Sequence, residues 1–242
     1  MTSLDAFLFV AFPYVAVITF VVGVLYRWKR KGFTVSSLSS QFLEGNTLFW
    51  GTIPFHIGIL VVFLGHLVAF VLPQATLAWN SQPLRLIILE GTALVFGLTV
   101  LIGLTALMYR RFTNPRIRAV TTAMDIGIEL LLLAQVILGV WIALGFRWGS
   151  SWFASDLTPY LWSLVRFSPE TGAVFALPWV IKLHIVGAFA ILFMVPFTRL
   201  AHVIVAPLNY IVRPYQQVIW NWDRKAIRDP STGWSAARPK AN

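Results

Sequence analysis

Five long apolar stretches, at about 5–25, 50–72, 86–108, 123–146 and 178–200, alternate along the chain with polar segments that hold most of the charges. Each has roughly 20 residues, enough for an α-helix rising about 1.5 Å per residue to cross a hydrocarbon core of about 30 Å. The pattern predicts an all-α integral membrane bundle of five transmembrane helices. The first stretch is not expected to be a cleavable signal, because its basic cluster follows the apolar run and no small-residue cleavage site ends it.

Between the spans the organisation is thin. The first polar segment, about 29–46, carries the run Ser36-Ser37-Leu38-Ser39-Ser40-Gln41 and is expected to form a short surface helix. The segment from Gly145 to Leu177 is aromatic, with Trp148, Trp152, Phe153 and Trp162, and its amphipathic stretch Leu157 to Phe167 is expected to lie in the membrane interface. No internal repeat is visible. The reading is one transmembrane domain at 1–208 followed by a polar, basic tail at 209–242, in which Pro214, Pro230 and Pro239 interrupt any helix.

Composition agrees, with 58% hydrophobic and 12% charged residues. The absence of cysteine excludes disulfides, thiolate ligands and cysteine-held iron–sulfur clusters, so any metal centre must rest on nitrogen or oxygen. Fifteen of the nineteen Lys and Arg residues fall in three places: Arg27 to Lys31, Arg110 to Arg118, and Arg199 to Lys240. Cytoplasmic loops collect such cations, which places the N-terminus outside and the C-terminus in the cytoplasm. The formal charge of +10 is explained by this sorting and by attraction to anionic lipid, and no nucleic-acid recognition motif is present.

His56, His66, His184 and His202 are the four histidines, and all lie inside or at the rim of apolar stretches. An ionisable side chain in a span is costly, which makes each a functional candidate. They form two pairs, ten residues apart on the second helix and eighteen apart on the fifth. His56 and His202 share the cytoplasmic half and His66 and His184 the outer half, the arrangement expected of two helices holding two haems. Two axial imidazoles leave iron no open position, which suits electron transfer. The assignment is an inner haem on His56 and His202 and an outer haem on His66 and His184.

On an unbroken fifth helix the eighteen residues would make five whole turns and about 27 Å, against about 15 Å between His56 and His66. Pro196 is expected to kink that helix and change its rise. Gly58, Gly65 and Gly187 lie beside the ligand positions, where small residues admit a flat macrocycle or serve close helix packing equally well. Arg110, Arg111, Arg116, Arg118 and Arg199 are candidates for haem propionates, Arg111 and Arg199 foremost, beside their role as topology markers. A histidine relay in a transporter or proton channel is the alternative. It predicts a colourless protein, and only Glu90, Asp125 and Glu129 supply acids within the spans.

The segments Ser39-Ser40-Gln41, Phe55-His56-Ile57-Gly58-Ile59-Leu60, Gly65-His66, Arg110-Arg111, Asn114-Pro115-Arg116-Ile117-Arg118-Ala119, Thr121-Thr122, Leu183-His184 and Pro196-Phe197-Thr198-Arg199-Leu200-Ala201-His202 closely resemble the cytochrome b (gamma) subunits of membrane-bound respiratory nitrate reductases. The resemblance covers about 5–220 and puts all four histidines on the family's ligand positions. It implies two haem b groups in a subunit of the inner (cytoplasmic) membrane that oxidises quinol at the outer face. Electrons would pass to an iron–sulfur beta subunit and a molybdenum-containing alpha subunit that reduces nitrate on the cytoplasmic side. The docking surface would comprise the first loop, the Arg111 to Val120 loop and the tail.

In that family a lysine near the outer start of the third helix shapes the quinol pocket with the outer-haem histidine. Here Arg85 stands in its place, with Gly65 and His66 retained, and a planar, permanently charged guanidinium is not a simple substitute. Lipid-headgroup snorkelling is the other reading of Arg85. Glu90, about one turn deeper, is expected to pair with Arg85 or to take a quinol proton. Related diheme subunits serve nitrite-oxidising and sulfite- or heterodisulfide-reductase-like complexes, so the terminal acceptor stays open.

Overall fold

The computed structural model describes residues 3–32, 35, 40 and 43–205, and these are mostly helical, with no strand among them. Five long helices dominate: α1 over Ser3–Arg30, α2 over Asn46–Val71, α3 over Pro83–Thr113, α4 over Ala123–Gly145 and α5 over Trp179–Met194. All five spans they form are long and apolar enough to cross a membrane, and the protein is a multi-pass membrane protein. In the first loop at 29–46, where a short surface helix is expected, residues 33–34, 36–39 and 41–42 lie outside the described residues, as does the tail at 209–242.

Local chemistry sets the helix ends. Pro83 opens α3, where a missing N–H costs nothing. Thr122 and Asp125 open α4 as a reciprocal capping box, each side chain accepting from the other's backbone N–H. Asn114 caps the short helix Pro115–Ala119 by accepting from the Arg116 N–H.

Close packing runs α2 to α3 to α4 to α5 to α1, and the histidine-bearing helices α2 and α5 are not among the closely packed pairs. Glycines make the α2–α3 crossing. A Cβ on Gly103 would stand 2.8 Å from the Gly51 oxygen, and one on Gly58 would stand 2.7 Å from Val100. The bare surface of Gly58 is therefore used by α3, which resolves its reading in favour of helix packing.

The segment between α4 and α5 is structural as well as aromatic. Its helix Thr158–Val165 buries Thr158, Tyr160, Ser163 and Leu164. Pro13 has no N–H to give the Phe9 carbonyl four residues back, and the chain passes this point as a π-helical turn at Phe7–Ala11. The Tyr160 hydroxyl donates to that carbonyl at 2.8 Å. Trp162 Nε1 donates to the Phe70 oxygen at 3.0 Å and so caps the end of α2. This segment thereby fastens the Phe9 end of α1 to the Phe70 end of α2. Its own burial, and after it the neighbouring Tyr14, drive the Tyr160 phenol above its ordinary range.

The fifth helix differs from expectation. The apolar stretch runs to 200, yet the α-helix stops at Met194 and continues as a 3-10 turn at Val195–Phe197. Thr198 is extended, with φ −119° and ψ 179°, before a second 3-10 segment at Arg199–Val205. The expected five whole turns between His184 and His202 therefore do not exist. Pro196 ends the helix and the chain turns.

Candidate functional site

That turn settles the mismatch of spacings. Ten residues separate His184 from the end of α5 at Met194, the same number that separate His56 from His66 on α2. Past the turn, His202 comes opposite His56, with ring centroids 6.3 Å apart and ring planes inclined by 57°.

Three imidazoles share one hydrogen-bond pattern. His56 Nδ1 donates to the Thr52 oxygen at 2.8 Å, His66 Nδ1 to the Val62 oxygen at 2.8 Å, and His202 Nδ1 to the Arg199 oxygen at 2.6 Å. A carbonyl only accepts, so each bond places the neutral ring's proton on Nδ1 and leaves the lone pair on Nε2. Metal-bound histidines use this outer hydrogen bond to fix tautomer and orientation.

His184 is held differently. Its Nδ1 is buried without a hydrogen-bond partner, while its main-chain oxygen accepts from Gln135 Nε2 of α4 at 2.9 Å. Its ring lies over α4 at Gly139, where a Cβ would come within 3.2 Å of Cε1. Gln135 in turn occupies the place of a side chain on Gly187. The His66 ring packs edge-on to Phe153 with centroids 5.5 Å apart. No ring contact joins His66 to His184 among the described residues. Gly65 has open space where a Cβ would stand.

At the start of α3 the exposed Arg85 guanidinium lies over the Trp79 ring, 5.3 Å from its centroid. Glu90 does not pair with it. It accepts instead from the Ser150 N–H at 2.8 Å and from the Ser150 hydroxyl, so its carboxylate is spent on ordering the segment between α4 and α5. Asn80 Nδ2 donates to the same hydroxyl at 3.0 Å.

The arginines divide into three kinds. Arg110 is buried and bonded to Glu44 and to both oxygens of Ser40, which ties the first loop to the end of α3. Arg111 and Arg199 converge on two acids of α4: Arg111 Nε meets Glu129 at 2.7 Å and Arg199 Nε meets Asp125 at 2.7 Å. Arg116 and Arg118 are exposed.

The sequence pattern of nitrate reductase gamma subunits matches residues 5–221. The chain belongs to the nitrate reductase gamma subunit family. It is 33% identical to the respiratory nitrate reductase 2 gamma chain of Escherichia coli (strain K12), over 89% of this chain and 96% of that one. It is likewise 33% identical to the nitrate reductase gamma chain of Bacillus subtilis (strain 168), over 84% of this chain and 92% of the relative. The nitrate reductase-like protein NarX of Mycobacterium tuberculosis is 32% identical over 84% of this chain, and the match occupies 32% of that longer protein.

The spacing of His56 and His202 bears on whether a haem iron would fit between them. Two metal–nitrogen bonds of about 2.0–2.1 Å end to end, plus the half-widths of two imidazole rings, come to roughly 6 Å. The 6.3 Å between His56 and His202 suits one iron between them. No cluster of three or more His, Asp or Glu side chains forms a metal cage among the described residues. Sequence reasoning missed two residues of this gamma subunit that the structure brings to the histidines. Gln135 is the lone amide of α4, a polar residue in a span and so a signal in itself. Arg27, described below, was hidden in a cationic cluster.

Proposed function

We propose that the protein is the diheme cytochrome b subunit of a respiratory nitrate reductase, oxidising quinol at the outer face of the cytoplasmic membrane. His56 and His202 would hold the inner haem b, and His66 and His184 the outer one. Once bound, the two groups would supply one-electron carriers between quinol and a cytoplasmic iron–sulfur beta subunit, which feeds a molybdenum-containing alpha subunit. The N-terminus faces outward and the tail at 209–242 lies in the cytoplasm against the beta subunit. Domain 1–208 is the membrane unit.

The observation that carries this reading is the facing of His56 and His202 at 6.3 Å, each with Nδ1 anchored to a backbone oxygen and Nε2 left to coordinate. Family membership supports the rest. Toward the outer face Gly65 keeps space beside His66, and Arg85 stands at the start of α3 with its guanidinium supported by Trp79. There Arg85 binds and orients a quinol oxygen. Arg111 and Arg199 converge beside the His202 segment and would offer charged partners to inner propionates.

A redox-titrated absorption spectrum of the membrane complex tests the reading, with wild type beside His56→Ala and His66→Ala. Two b-type haems per chain, a different one lost in each variant, is the expected result. A colourless protein, or a haem untouched by either change, would overturn it and restore the histidine relay.

A further inference from the structure

His202 owes its position to a break in the chain that is gripped from two sides. On one side is α1. A Cβ on Gly23 would stand 2.7 Å from Pro196 Cβ, so the bare glycine seats the proline. One turn on, Arg27 Nη1 donates to the Pro196 oxygen at 3.0 Å and to the Thr198 oxygen at 2.7 Å. The chain around Thr198 has left the α-helix, so its carbonyls lack the regular i+4 partners of a helix, and the Thr198 oxygen has only a long backbone bond, from the Ala201 N–H at 3.5 Å. An unpaired carbonyl in a membrane-embedded bundle is costly, and a guanidinium supplies what the break removes.

On the other side is α4. Asp125 receives Arg199 as a fork, Nε to Oδ1 at 2.7 Å and Nη2 to Oδ2 at 3.0 Å, while Nη2 also reaches the Val120 oxygen at 3.2 Å. Asp125 is itself fixed by its capping-box bonds with Thr122. The Arg199 carbonyl then accepts from His202 Nδ1 at 2.6 Å. A continuous path of hydrogen bonds thus runs from α4 through Arg199 to the imidazole, and Arg27 holds the preceding three residues from α1.

We propose that Arg27 and Asp125 are the positioning residues of the inner haem ligand: from α1 and α4 they hold the break at Pro196–Arg199 that turns His202 toward His56. Neither touches the haem iron. This inference rests on the reading of His56 and His202 as the inner ligands. Arginine suits the α1 side because one planar head bridges two carbonyls, which a shorter-reaching point charge does less well.

The test uses the intact complex in its membrane, comparing wild type with Arg27→Met, Arg27→Lys and Asp125→Asn. The readouts are haem content and the low-spin resonance signature and midpoint potential of each haem. In Arg27→Met and Asp125→Asn the inner haem shifts its signature and potential or is lost, the outer haem keeps both, and Arg27→Lys recovers part of the wild-type inner signal. An inner signal unchanged in Arg27→Met, or equal loss of both haems without recovery in Arg27→Lys, would overturn the proposal. A second measurement is independent of haem. The chain has no cysteine, so His56→Cys combined with His202→Cys reports their juxtaposition through a short thiol cross-linker. Cross-linking that falls when Arg27→Met is added supports the clamp even if wild type proves to carry no haem, whereas cross-linking that persists undiminished refutes it.

Discussion

Gln135 on α4 donates from Nε2 to the main-chain oxygen of His184 on α5 at 2.9 Å. Its amide lies along α5 over Gly187, in the place where a Cβ at that position would stand. The two features make one joint, and the substitution at either end has a distinguishable result. Gly187→Ala displaces the amide and forfeits a hydrogen bond of about 1 kcal/mol, while the helix gains about 1 kcal/mol from alanine. Thermal stability therefore changes little, but the signature of the haem proposed on His184 shifts. In a Gln135→Ala background the same Gly187→Ala change adds no further shift, because the group it displaces is already gone. Spectra of the two single variants and the double variant check this.

The α2–α3 crossing has no such compliance. A Cβ at Gly103 would stand 2.9 Å from the Phe55 Cα and 2.8 Å from the Gly51 oxygen, and these are backbone atoms that cannot swing aside. Gly103→Ala is expected to cost about 1–3 kcal/mol by overpacking and to push α2 outward beside His56. Reduced thermal stability in detergent should accompany loss of the haem proposed on His56 and His202. Gly97→Ala on the same helix is the control. Its Cβ would meet only Val140 Cγ2 at 3.7 Å, an ordinary contact, so it should be neutral or slightly stabilising.

These joints show how far the sequence could be read. The five spans were legible because length and apolarity are properties of a segment by itself. The four histidines stood out because ionisable groups in spans are rare, and the structure brings His56 and His202 face to face. Pro196 signalled a disturbance, but whether a proline kinks a helix or ends it depends on partners for the released carbonyls. Here that partner, Arg27, lies 169 residues away from Pro196 and resembled every other cation of its cluster. Arg111 and Arg199 looked like topology markers because their acids, Glu129 and Asp125, belong to another helix and bear no local spacing to them. Pairings across helices leave no periodicity to read.

The attachment of the first loop carries a pH dependence of known sign. The Arg110 side chain, and after it the Thr47 N–H, bond the Glu44 carboxylate and hold it below the usual glutamate range. A carboxyl whose folded-state value is depressed contributes stability that is complete above its ordinary unfolded value, about 4.3. The contribution declines as pH falls through that value and is lost once pH passes below the depressed one. Protease susceptibility of the loop around Glu44 should therefore be flat from pH 7 to about pH 5 and rise only under more acidic conditions. Glu44→Gln should show the raised susceptibility already at pH 7, because the amide cannot supply the charge that Arg110 meets.

Arg85 separates quinol binding from headgroup snorkelling. Its guanidinium rests on the Trp79 ring at 5.3 Å, which fixes the charge in one place at the start of α3. A residue that merely reaches for lipid headgroups would tolerate lysine or alanine with no change in quinol kinetics. A residue that binds a quinol oxygen would not: Arg85→Ala should raise the KM for quinol while both haem spectra stay intact. Arg85→Lys should fall between, since it keeps charge but loses the planar fork. Trp79→Ala removes a cation–π support of about 0.5–1 kcal/mol, equivalent to roughly a 2- to 5-fold rise in KM if that support serves binding. Steady-state kinetics with a soluble quinol analogue decides the matter. Equal KM in all four proteins would return Arg85 to the lipid interface and leave Gly65 and His66 as the only residues of the proposed pocket.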